Sequence, residues 1–185
     1  MAAQITTLGR SLTSEDLERT PPPIEGGGYE LDDGELVYVC PNSLRQGEVI
    51  YKFYTALRVF VRRRKLGLVT PDAWIGLSDG TVRAPDVAFI PADRAEGLDP
   101  RHTLKTTPAL AAEVLGPWDK PRDLLRKIHQ YRDAGIKLVL VLDPDKREID
   151  VYPQDRTMYT LTAENSFEAP DILPGFSVRV GKLFD

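Results

Sequence analysis

A chain of 185 residues with a formal net charge of −4 is long enough to bury one real core, and its acidic balance excludes a protein that coats nucleic acid indiscriminately. Cys40 is the single cysteine and His102 and His129 are the two histidines, which excludes an internal disulfide, a thiolate zinc site and a histidine-rich metal centre. Any metal would be a hard one bound by oxygen.

No basic stretch precedes a long apolar run near the N-terminus, so the expectation is a cytoplasmic protein without a membrane span. Residues 1–10 read as a loose arm. A short acidic helix follows (Glu15, Asp16, Leu17, Glu18), capped by Thr13 or Ser14 and ended by Pro21, Pro22 and Pro23. Gly26, Gly27 and Gly28 form a connector, since no Lys-Ser/Thr follows them to build a phosphate loop. Residues 1–28 are thus expected as an appendage to a domain spanning 29–185.

The segments 29–31 and 35–39 flank Asp32-Asp33-Gly34 and predict a β-hairpin that carries Glu30 and Glu35. Residues 44–66 predict the longest helix, with Val49, Phe53, Ala56, Leu57, Phe60 and Val61 on one face and Gly67 as its stop. Its last turns hold Arg58, Arg62, Arg63, Arg64 and Lys65, either a solvated face complementing the helix dipole or a surface that contacts phosphates. A second hairpin is expected from 68–77 and 81–90 around Ser78-Asp79-Gly80. Alternation along its second strand puts Val82, Ala84, Asp86, Ala88 and Ile90 on one face. Residues 92–107 are polar and irregular, a surface loop.

From residue 109 to 144 the pattern is strand, loop, helix, strand. Residues 109–115 are apolar but for Glu113, and Gly116, Pro117 and Pro121 punctuate the loop. Residues 122–134 carry Leu124, Leu125, Ile128 and Tyr131 at helical spacing, with Gly135 as the stop. Residues 136–142 are too continuously apolar to be half exposed, so this strand is central and joins the first through a right-handed parallel crossover. Strands over 148–152 and 157–161 and a last short strand within 172–178 complete an α/β (α+β) fold, a mixed β-sheet flanked by helices.

Two acids interrupt apolar strands, Asp86 after Pro85 and Glu113 after Ala112, each with small neighbours on its own face. Buried lone carboxylates are costly and tend to be paired, protonated or bound to a cation. If their strands are neighbours, both carboxylates converge on one divalent ion, and magnesium suits few protein oxygens with remaining waters. Asp123, Lys127 and Tyr131 form one helical ridge beside the inward Leu124 and Ile128, which sets Lys127 at the margin of the buried stripe. There its ammonium would stabilise a metal-activated water or the charge building on a phosphoryl group. An ordinary Asp123–Lys127 ion pair on a helix flank is the alternative.

Pro85-Asp86, Glu113-Val114-Leu115 and the ridge of Asp123, Lys127 and Tyr131 resemble the pattern of the PD-(D/E)XK nuclease superfamily, and among its members the Uma-two family of restriction-endonuclease-like bacterial proteins. Tyr29-Glu30-Leu31, Asp33-Gly34-Glu35-Leu36, the helix after Ser43, Val141-Leu142-Asp143-Pro144 and Leu173-Pro174-Gly175-Phe176 extend the likeness from about residue 29 onward. The resemblance implies Asp86 and Glu113 as metal ligands with the Val114 carbonyl. It implies Lys127 as the substitute for the superfamily lysine, whose usual place holds Leu115. Glu35, Asp123, Tyr131 and Gln46, the last where a histidine is common, are implied as accessory residues, and Glu30 either supports the site or belongs to the hairpin alone. Gly116-Pro117-Trp118 replaces the family's serine-rich turn, and Trp118 either stacks on a base or fills a gap under the loop.

The function expected is a magnesium-dependent endonuclease, with manganese as a substitute ion, that hydrolyses DNA. Arg62, Arg63, Arg64, Lys120 and Arg122 are the expected nucleic-acid contacts, and the resemblance suggests a homodimer. The alternatives are a non-catalytic module of the same fold that binds nucleic acid or a partner, and a structural dimerisation domain with internally paired acids. No motif for a nucleotide cofactor, a nucleophilic serine or a cysteine–histidine pair stands out. His102, His129 and Cys40 are expected to be structural or solvent-facing.

Overall fold

The computed structural model describes residues 4–5 and 11–185. The expected arm over 1–10 lies outside the described residues, except for β1 (Gln4–Ile5), which pairs antiparallel with a later strand. Helix α1 (Ser14–Arg19) starts at a reciprocal box in which Thr13 accepts from the Asp16 amide and Asp16 accepts in return. Its Leu17 is fully buried. The hairpin β2 (Gly28–Asp32) and β3 (Glu35–Val39) turns through Asp33 and Gly34 at φ of 51° and 83°. Both residues of such a primed turn need positive φ, which is why Asp-Gly stands there.

Helix α2 (Leu44–Arg64) is capped by Ser43 and Gln46 and ends on Lys65 in the left-handed region. Then come β4 (Gly67–Thr70), β5 (Ile75–Ser78), β6 (Thr81–Arg83) and β7 (Val87–Pro91). The expected second hairpin is divided between two sheets. β5 pairs with β6 in a five-stranded sheet of order β1-β3-β2-β6-β5, whereas β4 pairs with β7 in a larger one. The division falls at Ala84-Pro85-Asp86, where Pro85 has no N–H to give to a ladder. The Asp72 amide donates to the Pro85 carbonyl over 3.2 Å, so both crossings are tied together.

A single turn, α3 (Ala92–Ala95), opens the expected surface loop. The crossover is then β8 (Leu110–Val114), α4 (Pro121–Asp133) and β9 (Leu138–Asp143), and β8 and β9 are parallel from Leu110↔Leu138 to Val114↔Leu142. With β10 (Glu148–Pro153) and β11 (Tyr159–Leu161) they complete a six-stranded sheet of order β11-β10-β9-β8-β7-β4. A two-stranded ribbon, β12 (Ser166–Ala169) with β13 (Leu173–Arg179), and the short α5 (Gly181–Phe184) close the chain.

The larger sheet is covered on both faces, as the apolar run of β9 requires. On one face α2 buries Val49, Phe53, Leu57 and Val61 against Val87, Phe89, Leu110, Ala112, Leu140 and Leu142. Each such side chain stabilises the fold by roughly 1.5–3 kcal/mol. On the other face α4 lays Ile128 and Tyr131 over Ala111, Val139 and Val141. No described helix is long and apolar enough to cross a membrane.

Candidate active site

β7 and β8 run antiparallel with Val87 opposite Ala112 and Ala88 opposite Ala111. Asp86 lies just before β7, beyond the last paired residue, and Glu113 follows Ala112 on β8, so the two acids meet at the end of this ladder. Both carboxylates line one cavity, and they lie close enough for the Glu113 charge to act on Asp86. The Val114 amide donates to Asp86 Oδ2 at 2.6 Å. Tyr131, fully buried, donates its hydroxyl to Glu113 Oε1 at 2.5 Å. Asp86, Glu113 and Val114 line a cavity of about 60 Å³ with Gln46, Gly116 and Trp118 at its edge.

Burial raises the Asp86 carboxyl well above its ordinary range, and the neighbouring Glu113 pushes it further. Burial also raises Glu113, although Lys127 and the Tyr131 hydroxyl pull it down. Lys127, with 19% of its side chain exposed, places Nζ 3.5 Å from Glu113 Oε2 and 3.1 Å from Glu30 Oε1. Burial works against that ammonium, but Glu113 and Glu30 outweigh it and hold the charge above the usual lysine range.

The ion pairing continues away from the cavity. Glu30 is 2% exposed and also accepts from the Ala84 amide at 2.9 Å and from Arg83 NH1 at 3.0 Å. Arg83 bridges on to Asp32 and to Gln130 Oε1, and Gln130 Nε2 returns to Asp32 at 2.7 Å. Burial pushes Glu30 up, but Lys127 and Arg83 more than offset it and keep it ionised. The five-stranded sheet supplies this cluster, because β2 and β6 pair at Leu31↔Val82. Partial burial raises the Asp72 carboxyl too, and Asp72 adds to the repulsion on Asp86.

The other expected site residues divide. Gln46 caps α2 through Ser43 and donates Nε2 to the Val114 carbonyl at 3.1 Å, which puts it at the cavity. Tyr131 is there, and Lys120 and Arg122 are exposed at the start of α4 beside the cavity loop. Asp123 is exposed and makes no ion pair with Lys127 among the described residues, which overturns the helix-flank pairing. Glu35 lies exposed at the end of the hairpin, while Glu30 takes the site-supporting one of its two expected roles and reaches Lys127.

Arg62, Arg63 and Arg64 are exposed at the far end of α2, about 24–27 Å along its axis from Gln46 at 1.5 Å per residue. Arg64 stacks 4.8 Å from the Phe60 ring centre. Trp118 is 73% exposed, so it does not fill a gap under the loop. Sequence reasoning missed Arg83, Gln130, Asp32 and Asp72. Pro85 was the available signal for Arg83, because a ladder break there cancels the alternation that put Arg83 on the opposite face.

Among the described residues no three His, Cys, Asp or Glu side chains form a metal cage. The donor set is two carboxylates and a backbone carbonyl, and it fits magnesium, which keeps several waters and takes few protein oxygens. Asp86 Oδ1 takes no hydrogen bond from the described residues, which leaves it open to the cavity. A carboxyl whose proton affinity is raised by burial and by a neighbouring acid, as Asp86 is by Glu113, is the arrangement a divalent cation relieves.

The chain matches a known fold along almost its whole length. The crystal structure of a putative nuclease belonging to DUF820 from Anabaena variabilis ATCC 29413 superposes with a TM-score of 0.80, covering 94% of this chain and 97% of that one at 13% identity. That likeness establishes the fold. No curated protein matches the chain. The family model Uma2, described as putative restriction endonuclease, matches residues 14–181. The chain belongs to the Uma2 family.

Proposed function

We propose that this Uma2-family chain is a magnesium-dependent nuclease that hydrolyses phosphodiester bonds in DNA. The observation that carries the proposal is the meeting of Asp86, just before β7, and Glu113 on β8 in one cavity, with the Lys127 ammonium 3.5 Å from Glu113. The family's description and the fold shared with the putative nuclease from Anabaena variabilis support the same reading.

Asp86, Glu113 and the Val114 carbonyl would hold the ion. A bound magnesium supplies positive charge that acidifies water and neutralises a phosphoryl oxygen. Glu113 and Glu30 favour the charged form of Lys127, which suits it to stabilising charge. Its role is to stabilise the negative charge that grows on the phosphoryl group, and Glu30 fixes where that charge sits. Tyr131 sets the rotamer of Glu113. Lys120 and Arg122, exposed beside the cavity, would contact the phosphates of the strand.

Calorimetric titration with magnesium or manganese tests the site, since the ion should bind wild type and fail to bind Glu113→Gln. Equal binding in the variant rejects it. One observation favours a non-catalytic module. Gln46 Nε2 already donates to the Val114 carbonyl and so engages one lone pair of an expected ligand. Salt-dependent DNA binding without any cleavage in magnesium would select that reading.

A further inference from the structure

The loop between β8 and α4 holds an indole in water beside the carboxylates. Leu115 is pinned to β9 by its amide bond to the Leu142 carbonyl at 2.9 Å. Gly116 donates its amide to Asp119 Oδ2 at 2.7 Å, and the Asp119 amide returns to the Gly116 carbonyl at 3.3 Å. Pro121 then starts α4. Both ends of the loop are fixed, and the turn presents Trp118 outward, 73% exposed, on the edge of the cavity that Asp86 and Glu113 line.

A large aromatic left in water next to buried carboxylates does nothing for the fold that a polar residue would not do. Two cations follow it in the chain, beyond Asp119, whose carboxylate is bound by the Gly116 amide. Lys120 and Arg122 are exposed, and their side chains make no ion pair among the described residues. A planar aromatic face with unpaired cations a few residues away is what a nucleic-acid strand requires, a surface for a base and charges for its phosphates. Bases inside a duplex are stacked on one another and offer only their edges, so an indole meets a base face only where that base has left the stack.

We propose that Trp118 is a stacking platform for one unstacked base next to the scissile phosphate, and that the substrate is accordingly single-stranded, frayed or flipped there. The proposal rests on the nucleic-acid reading of the carboxylate site. Trp118 thus sets which strand enters, while Lys120 and Arg122 hold its backbone.

Tryptophan emission reads this directly, because the only other indole, Trp74, is partly buried with Nε1 bonded to the Tyr29 carbonyl at 2.9 Å. The full chain in EDTA is titrated with a single-stranded oligothymidylate and with a blunt duplex of equal length. The single strand should bind more tightly and quench the emission. Trp118→Ala should lose the quench and bind about 5- to 150-fold more weakly, and Trp118→Phe should keep most of the affinity. Alanine binding equal to wild type, a quench that survives in Trp118→Ala, duplex preference, or no binding at all would overturn the platform. Plasmid nicking in magnesium, run alongside, separates the two claims. Nicking with no Trp118-dependent binding sinks the platform and leaves the nuclease standing. Stacking without nicking supports the platform and removes the nuclease.

Discussion

The Val114 amide donates to Asp86 Oδ2 across 2.6 Å, and so the residue after one candidate ligand orients the other. This bond lowers the proton affinity of Asp86, yet burial and the neighbouring Glu113 keep that carboxyl well above its ordinary range. The pair is therefore strained in the folded chain when no cation is present.

Removing one charge should show this. Asp86 prefers its proton in the folded state, so it costs stability once the pH exceeds its ordinary value of 3.8 and costs most above its raised value. Asp86→Asn should consequently raise the melting temperature in EDTA at neutral pH, with a gain that shrinks as the pH falls towards about 4. Thermal melts of both proteins across that range check the sign.

A cation should relieve the same repulsion. At a hundredfold excess over its dissociation constant, magnesium would stabilise wild type by about 2.7 kcal/mol, or roughly 5–10 °C for a chain of this size. Glu113→Gln should show no such shift, and scanning fluorimetry with magnesium, manganese and EDTA reads it.

The architecture was legible where pattern and chemistry agreed. The parallel crossover, the Asp33-Gly34 hairpin and the Leu124, Ile128 and Tyr131 stripe of α4 all followed from periodicity and turn residues, whereas Leu125, expected on that stripe, is exposed. Asp86 and Glu113 stood out because an acid in an apolar strand is expensive. What stayed hidden depended on the five-stranded sheet. Alternation carried through Pro85 as if residues 81–90 were one strand, whereas the chain changes sheets there and brings Arg83 under Glu30. The reach of Lys127 to Glu30 joins residues 97 apart, which no local spacing reveals. The ribbon strand β12 was missed as well, because its four residues carry only Phe167 and Ala169 as an apolar signal.

That hidden cluster makes a stability prediction. Arg83, 3% exposed, and Glu30 form a buried pair, and breaking one half of such a pair costs about 3–5 kcal/mol. Arg83→Met should lose that much in urea melts. The loss should be clearly smaller when Glu30 is already Gln, so a double-mutant cycle measures the coupling.

Gly116 and Gln46 should be coupled in the same way. A Cβ on residue 116 would come within 2.4 Å of Gln46 Nε2, whose amide is committed to Ser43 and the Val114 carbonyl. Gly116→Ala must displace that amide, at a cost of about 1–3 kcal/mol. Adding Gln46→Ala should recover most of the loss, and denaturant midpoints of the three variants check it.

Supercoiled-plasmid nicking by wild type, Asp86→Asn and Lys127→Met in magnesium tests most directly whether these residues form a nuclease centre. Wild type should relax the plasmid, and each substitution should slow it by roughly 10²–10³-fold. Relaxation that proceeds at the wild-type rate in both variants would contradict the assignment of Asp86 and Lys127.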